Sequence, residues 1–250
     1  MDLTGCLAVV TGAGAGLGEV VARAAAARGC RVLVADRDGE AAERVAAGLR
    51  TTGGRARGVA CDVLLDDDLE RLAAEADAEG GAALLVNNAG GWGDAPAQYP
   101  EADPDEWSAV LALNLRAPML LLQRCLPGLR RHGGAVVNVA SSGALGRAPY
   151  GSPPYGAAKA GLIRLTTSLG GPATGGVRVT CVVPGWVGLP RALEEWDALT
   201  VTERSGRPAL VPPEHVAATV LDLAADDAPG GTVVELLDGT GRTVLAPAPA

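Results

Sequence analysis

The chain alternates short, continuously apolar runs with longer stretches in which apolar residues recur at helical spacing. The apolar runs at 6–10, 31–35, 57–61, 83–87, 135–140, 177–183 and 232–237 show little polar alternation, the pattern of strands covered on both faces. Helical stretches begin near Leu17, Gly39, Asp66, Asp105, Pro154 and Pro213, several announced by Asp, Ser or Pro at their starts. Strands separated by helices require crossover connections of one hand, so the pattern predicts an α/β fold: a seven-stranded, mostly parallel, doubly wound sheet with helices on both faces. No composition break or internal repeat divides the 250 residues, which read as a single domain, 1–250. Residues 91–103 and 186–212, rich in Gly and Pro, read as loops or short helices near the strand ends where such sheets bind ligands. The tail 246–250 reads as extended.

Composition narrows the function classes. A net charge of −8 argues against nucleic acid or an anionic membrane as partner, since either needs a basic surface. The start, Met1-Asp2-Leu3-Thr4-Gly5, lacks the basic and apolar regions of a signal peptide, and no apolar run reads as long enough to span a bilayer, so the expectation is a cytoplasmic protein. Cys6, Cys30, Cys61, Cys125 and Cys181 are scattered and odd in number, as small reduced core residues are. His132 and His215 stand apart from any ligand-like spacing, which points away from a metal site or a histidine triad.

The candidate chemistry starts at Tyr155-Gly156-Ala157-Ala158-Lys159, where a phenol and an ammonium four residues apart share one helix face. At ~6 Å and an effective dielectric of ~20, the lysine charge favours the phenolate by roughly 3 kcal/mol, about 2 pK units, which makes Tyr155 a candidate general acid and base. The spacing alone also suits a core tyrosine followed by a solvated lysine, so the rest of the chain has to decide. Directly after the first strand comes Thr11-Gly12-Ala13-Gly14-Ala15-Gly16-Leu17-Gly18 and then a helix. Glycines there let backbone approach a pyrophosphate at the helix N-terminus. Asp36 ends the second strand, where a carboxylate accepts bonds from both hydroxyls of an adenosine ribose and repels a 2′-phosphate; neighbouring Arg37 is the competing influence. Asp62-Val63 and Asn87-Asn88-Ala89-Gly90 end the third and fourth strands along the same edge. Pro118 has no N–H for the carbonyl of Asn114, so that carbonyl is expected free at a helix kink.

In this order, TGAGAGLG, Asp62-Val63, NNAG, Asn114, the serines after NVA, YGAAK and Pro184-Gly185 resemble the short-chain dehydrogenase/reductase family over nearly the whole chain. The resemblance implies a Rossmann-like fold and hydride transfer between NAD(H) and a secondary alcohol or ketone, in a homo-oligomer, tetramer or dimer. It implies Tyr155 as proton donor and acceptor, Lys159 as the partner of the nicotinamide ribose, a serine polarising the substrate oxygen, and Asn114 leading through a water towards Lys159. Ser141 keeps the family's distance from Asn138 and Ser142 its distance from Tyr155; Ser141 is favoured because a strand end fixes position better than a loop. The implied cofactor contacts are Gly12, Ala15, Gly16, Leu17, Gly18, Asp36, Arg37, Asp62, Val63, Asn88, Ala89, Gly90, Tyr155, Lys159, Pro184, Gly185 and Val187. A small-molecule substrate is expected beside Ser141 and Tyr155, bounded by Trp92, Tyr150, Trp186, Leu189, Leu193 and Trp196.

Departures from the family pattern are Leu189 where a carboxamide-binding Thr is common, Thr180 for a common Asn, and Gly170-Gly171-Pro172 closing the helix of Tyr155 early. Helices over 105–129 and 155–169, the first with Leu111, Leu115, Met119 and Leu122 on one side, are the expected subunit contacts. The alternatives to an alcohol dehydrogenase are a same-fold epimerase or dehydratase and a non-catalytic dinucleotide sensor.

Overall fold

The computed structural model describes residues 1–93, 97–146, 151–171, 174–226 and 228–246. The apolar runs become β1 (Leu7–Thr11), β2 (Arg31–Asp36), β3 (Arg55–Ala60), β4 (Leu84–Asn87), β5 (Ala135–Val139), β6 (Arg178–Pro184) and β7 (Val233–Leu236), all parallel and in the order β3-β2-β1-β4-β5-β6-β7. The order reverses between β1 and β4, which opens a crevice at their carboxyl ends. Parallel registers align those ends, with Thr11 beside Ala35 and Asn87 beside Asn138.

The intervening chain forms α1 (Gly16–Ala27), α2 (Gly39–Thr51), α3 (Asp66–Ala78), α4 (Pro104–Leu111), α5 (Ala117–His132), α6 (Pro153–Ser168), α7 (Pro190–Ala198), α8 (Val201–Ser205) and α9 (Pro213–Ala225). Ala22, Val45 and Val220 bring α1, α2 and α9 onto one face of the sheet, and Leu69, Leu72, Leu121 and Leu129 bring α3 and α5 onto the other. Ile163 of α6 packs on Cys181, Val183 and Val233. Small residues set these distances: a Cβ at Gly58 would lie 2.5 Å from Glu43 Cα, so only glycine lets α2 close on β3.

Three expectations need correction. The sheet has eight strands, because β8 (Thr243–Ala246) returns antiparallel along β7. Its exposed Val244 and Leu245 lack the coverage that β1, β2 and β4 to β7 have, so a pattern of covered runs passes over it. Residues 247–250 of the expected tail, and Pro172, lie outside the described residues. Secondly, the helix expected over 105–129 is α4 and α5 joined by a π-turn, Ala112–Arg116, in which Ala117 N–H reaches back to Ala112 O. Pro118 follows this π-turn at once, in the first turn of α5. Thirdly, Pro104–His132 is one helical run of 29 residues, long and apolar enough by length and composition to cross a membrane. In this fold it packs Leu121, Cys125 and Leu129 into the core.

Where α6 ends, a Cβ on Gly170 would stand 2.7 Å from Gly230 O, so the chain leaves the helix against the backbone preceding β7.

Candidate active site

At the crevice, the glycine-rich turn is held by side chains from β1 and β4. Thr11 Oγ1 accepts from the N–H groups of Asn88 and Ala89, both at 3.1 Å, and donates to Val86 O at 3.3 Å. Asn88 Nδ2 donates to Thr11 O at 2.9 Å and Gly12 O at 3.2 Å. Gly12 has φ +62°, and a Cβ there would meet Ala89 Cα at 2.9 Å; one on Gly18 would meet Gly12 O at 2.0 Å. The turn thus approaches β4 and the start of α1 more closely than any side chain allows.

The N-terminus of α1 is the second feature. Its N-cap is Ala15, which makes no side-chain cap, whereas α2 is capped by Asp38 accepting from Ala41 N–H at 2.9 Å. Leading N–H groups of α1 are left for a ligand, and Ala15, Leu17 and Gly18 line the cavity in front of them. This fits the pyrophosphate of a dinucleotide. Asp36 stands where an adenosine ribose would follow: its Oδ2 accepts from Gly14 N–H at 2.9 Å and its Oδ1 from Asp38 N–H at 3.0 Å. Each oxygen keeps capacity for a ribose hydroxyl. Asp36, Arg37, Asp62 and Val63 follow the carboxyl ends of β2 and β3, on the same sheet edge but outside the cavity walls. Asp62 is fixed there, its Oδ1 accepting from Leu64 N–H and its N–H donating to Asp68.

The main cavity, about 760 Å³, brings Gly12, Ala15, Leu17, Gly18, Asn88, Ala89 and Gly90 together with Ser141, Ser142, Tyr155, Lys159, Pro184, Gly185 and Val187. Gly16 does not line it and underlies Leu189, whose Cδ1 would be 3.7 Å from a Cβ at that position. Lys159 Nζ lies 5.6 Å from the centre of the Tyr155 ring and donates to Val139 O at 2.8 Å. Its burial pulls the ammonium down from 10.5 to about 8. Burial pushes the Cys181 thiol up to about 12, so it stays protonated. Asn114 is fully buried behind this pair. Its Nδ2 donates to Gly91 O at 2.6 Å and Val110 O at 2.8 Å, and its Oδ1 accepts from Gly91 N–H at 3.1 Å. A Cβ on Gly90 would lie 2.7 Å from Asn114 Oδ1 and 3.0 Å from Lys159 Nζ, so the glycine of NNAG lets both approach it, Lys159 lining the cavity and Asn114 buried outside its walls. Ser141 Oγ accepts from Gly143 N–H at 3.2 Å.

Of the expected substrate contacts, Trp92, Trp186 and Leu189 line the cavity. The Trp92 ring meets Tyr155 edge-on at 5.7 Å. Trp196 packs on Trp186 at 5.9 Å behind the wall, Leu193 is exposed, and Tyr150 lies outside the described residues. Sequence reasoning gave no role to Arg191, Glu195 and Arg207, which also line the cavity, or to the buried chain in which Asn87 donates to Asn138 and Asn138 to Thr166, both at 2.9 Å. The helical spacing of Arg191 and Glu195 was the available signal for the first two.

Known proteins resemble the chain in sequence and in fold. A family model described as short chain dehydrogenase matches residues 7–198. The cis-4-hydroxycyclohexanecarboxylate dehydrogenase of Sinomonas cyclohexanicum is 38% identical over 89% of this chain and 90% of its own length. The D-threitol dehydrogenase of Mycolicibacterium smegmatis is 34% identical over 97% and 94%. A solved 7α-hydroxysteroid dehydrogenase, complexed with NADH and 7-oxo glycochenodeoxycholic acid, superimposes with a TM-score of 0.84 at 27% identity, covering 96% of this chain and 95% of that one. The chain belongs to the short-chain dehydrogenase family, as an oxidoreductase that uses a nicotinamide dinucleotide.

Proposed function

We propose that the chain is an NAD(H)-preferring dehydrogenase that interconverts a secondary alcohol and its ketone. The observation that carries this reading is the convergence of an uncapped helix start, a tyrosine, a buried lysine and a serine on one cavity. Bound there, the dinucleotide supplies the hydride donor or acceptor. Tyr155 gives its phenolic proton to the substrate oxygen in reduction and takes it back in oxidation. Ser141 donates a hydrogen bond to the same oxygen, and the Lys159 ammonium lowers the cost of the phenolate while reaching the nicotinamide ribose. Asn114 acts through backbone, holding Gly91, the neighbour of the Gly90 that faces Lys159 Nζ. Leu189 roofs the glycine turn, so the carboxamide relies on backbone groups near Val187.

Asp36 supports the choice of NAD(H). At ~5 Å and an effective dielectric of ~20, a carboxylate facing a doubly charged phosphate costs on the order of 6 kcal/mol before screening. An assembly of two or four copies is supported by a second surface cavity of about 640 Å³, walled by Leu111, Leu115, Met119, Leu165 and Leu169 of α4, the π-turn, α5, α6 and its C-cap. We place the assembly in the cytoplasm. Light scattering that gives about 25 kDa at micromolar concentration refutes the assembly. The function is tested by following reduced-cofactor absorbance across a panel of secondary alcohols and ketones, with either dinucleotide; no turnover of any member refutes it. Paired Ser141→Ala and Ser142→Ala variants assign the serine, the larger loss of kcat being expected at Ser141.

A further inference from the structure

The cavity wall contributed by the β6–α9 connection has a charge opposite to that of the chain. The protein carries −8 overall, yet among the described residues the charged side chains lining the cavity are Lys159, Arg191 and Arg207 against one carboxylate, Glu195. Lys159 is buried and bonded to Val139 O, so it belongs to the reacting end. Arg191 donates to Glu195 at 2.8 Å, and its guanidinium lies 5.9 Å over the Trp92 ring, which itself touches Tyr155. That chain of contacts places Arg191 on the Tyr155 side of the cavity, while Leu189 covers the glycine turn where a pyrophosphate would rest. Because Glu195 offsets Arg191, the cation in excess is Arg207. Its backbone N–H bonds Arg204 O, and its charge acts on Glu203 through space. Among the described residues no hydrogen bond or ion pair engages its guanidinium, which stands exposed at the rim of a largely apolar cavity.

We propose that the substrate of this site carries a carboxylate remote from its reacting carbon, and that the Arg207 guanidinium receives that carboxylate. The inference rests on the alcohol and ketone reading above and adds a specificity residue to it. A planar guanidinium matches a carboxylate with two parallel N–H bonds, and the apolar wall between rim and Tyr155 suits the carbon skeleton that joins the two ends. The Arg191–Glu195 pair bounds the path, since its own charges are already matched. A cationic rim on an acidic protein also raises the local concentration of an anionic substrate. The same chemistry has a second source, the cofactor pyrophosphate, and the test separates the two.

Matched keto acids and their methyl esters (4-oxocyclohexanecarboxylate, 4-oxopentanoate and 5-oxohexanoate) are reduced at saturating NADH, while NADH affinity is measured separately by fluorescence. The expected wild-type preference is tenfold or more in kcat/KM for acid over ester, falling with added salt. Arg207→Ala is expected to lower that acid-to-ester ratio at least tenfold through KM of the acids, Arg207→Lys to keep part of it, and Arg207→Glu to invert it, with the Kd for NADH changed less than twofold. Equal use of acids and esters by the wild type overturns the proposal. So does an Arg207→Ala variant that binds NADH more weakly and keeps the wild-type ratio, because the arginine would then serve the pyrophosphate. If no ketone of either series, nor any in the wider panel, is reduced, the oxidoreductase reading fails first and this one with it.

Discussion

The two sides of the cavity are built from different materials. Around β1, α1 and β4 the wall is backbone and glycine, held by Thr11 and Asn88 through bonds that are buried or partly buried. Around α7 and α8 it is side chains on short helices whose only buried residue is Ala192, held at the surface by the Thr200–Glu203 capping box and by Arg204 donating to Asp197 O and Leu199 O. Positions such as Gly18, where an added Cβ would stand 2.0 Å from Gly12 O, leave no latitude for a substitution, so the first wall fits a partner of one fixed shape. Exposed residues on short helices can be exchanged at little cost to the fold, so the second wall is where substrate choice can be written.

This contrast can be broken at its seam. Tyr155→Phe should lower turnover at least a hundredfold and leave NADH affinity near wild type, as loss of a general acid requires; near-normal turnover by stopped-flow absorbance would show that another group moves the proton. A second test sets function against stability. Lys159 is held at about 8 instead of 10.5, so below pH 8 its buried charge costs the folded state up to about 3 kcal/mol, and the cost fades as pH rises from 8 to 10.5 because the unfolded chain then binds the extra proton. Lys159→Met should therefore abolish activity and raise the melting temperature of the cofactor-free protein by a few degrees at pH 7, less the lost bond to Val139 O, with the gain shrinking towards pH 10. An unchanged or lower melting temperature at pH 7 would contradict the burial argument.

On the glycine-built side, Asp36→Ala should reduce the preference for NAD(H) over its phosphorylated form at least tenfold in kcat/KM. A wild type with equal or reversed preference would mean that Arg37 governs. The smallest effect is expected on the other side: Trp196→Ala removes the support behind Trp186, not the wall itself, and should raise substrate KM by less than fivefold with cofactor affinity intact. A large loss of cofactor affinity there would erase the distinction between the two sides.

The same contrast explains what could be read in advance. Gly12, Gly18 and Gly90 were legible because a close backbone approach admits one residue type, and Asp36 because it ends a strand at a predictable edge. Lys159 was legible as a charge near Tyr155, but its bond to Val139 O depends on how α6 meets β5, which no local pattern carries. The π-turn was hidden because no residue type marks a bond to the fifth residue back; Pro118 signalled a freed carbonyl and nothing about its geometry. β8 was hidden because its consecutive residues Val244 and Leu245 are exposed on both faces of the sheet. Arg207 was hidden because a lone exposed charge follows no period, whereas Arg191 carried only its i,i+4 spacing to Glu195.

The π-turn at Ala112–Arg116 also has a rotational meaning. Each residue of an α-helix advances the chain by about 100°, so one additional residue within a turn changes the angular phase of everything beyond it. The run Pro104–His132 is in this sense two cams keyed on one shaft. One keeps Asn114 against Gly91, and the other keeps Leu121, Cys125 and Leu129 against the sheet. Deleting any single residue from 112–116 would bring the cams into step and swing either the amide or the leucines off target. That segment should accept a change in the identity of its one exposed residue, Arg116, far more readily than a change in the number of its residues.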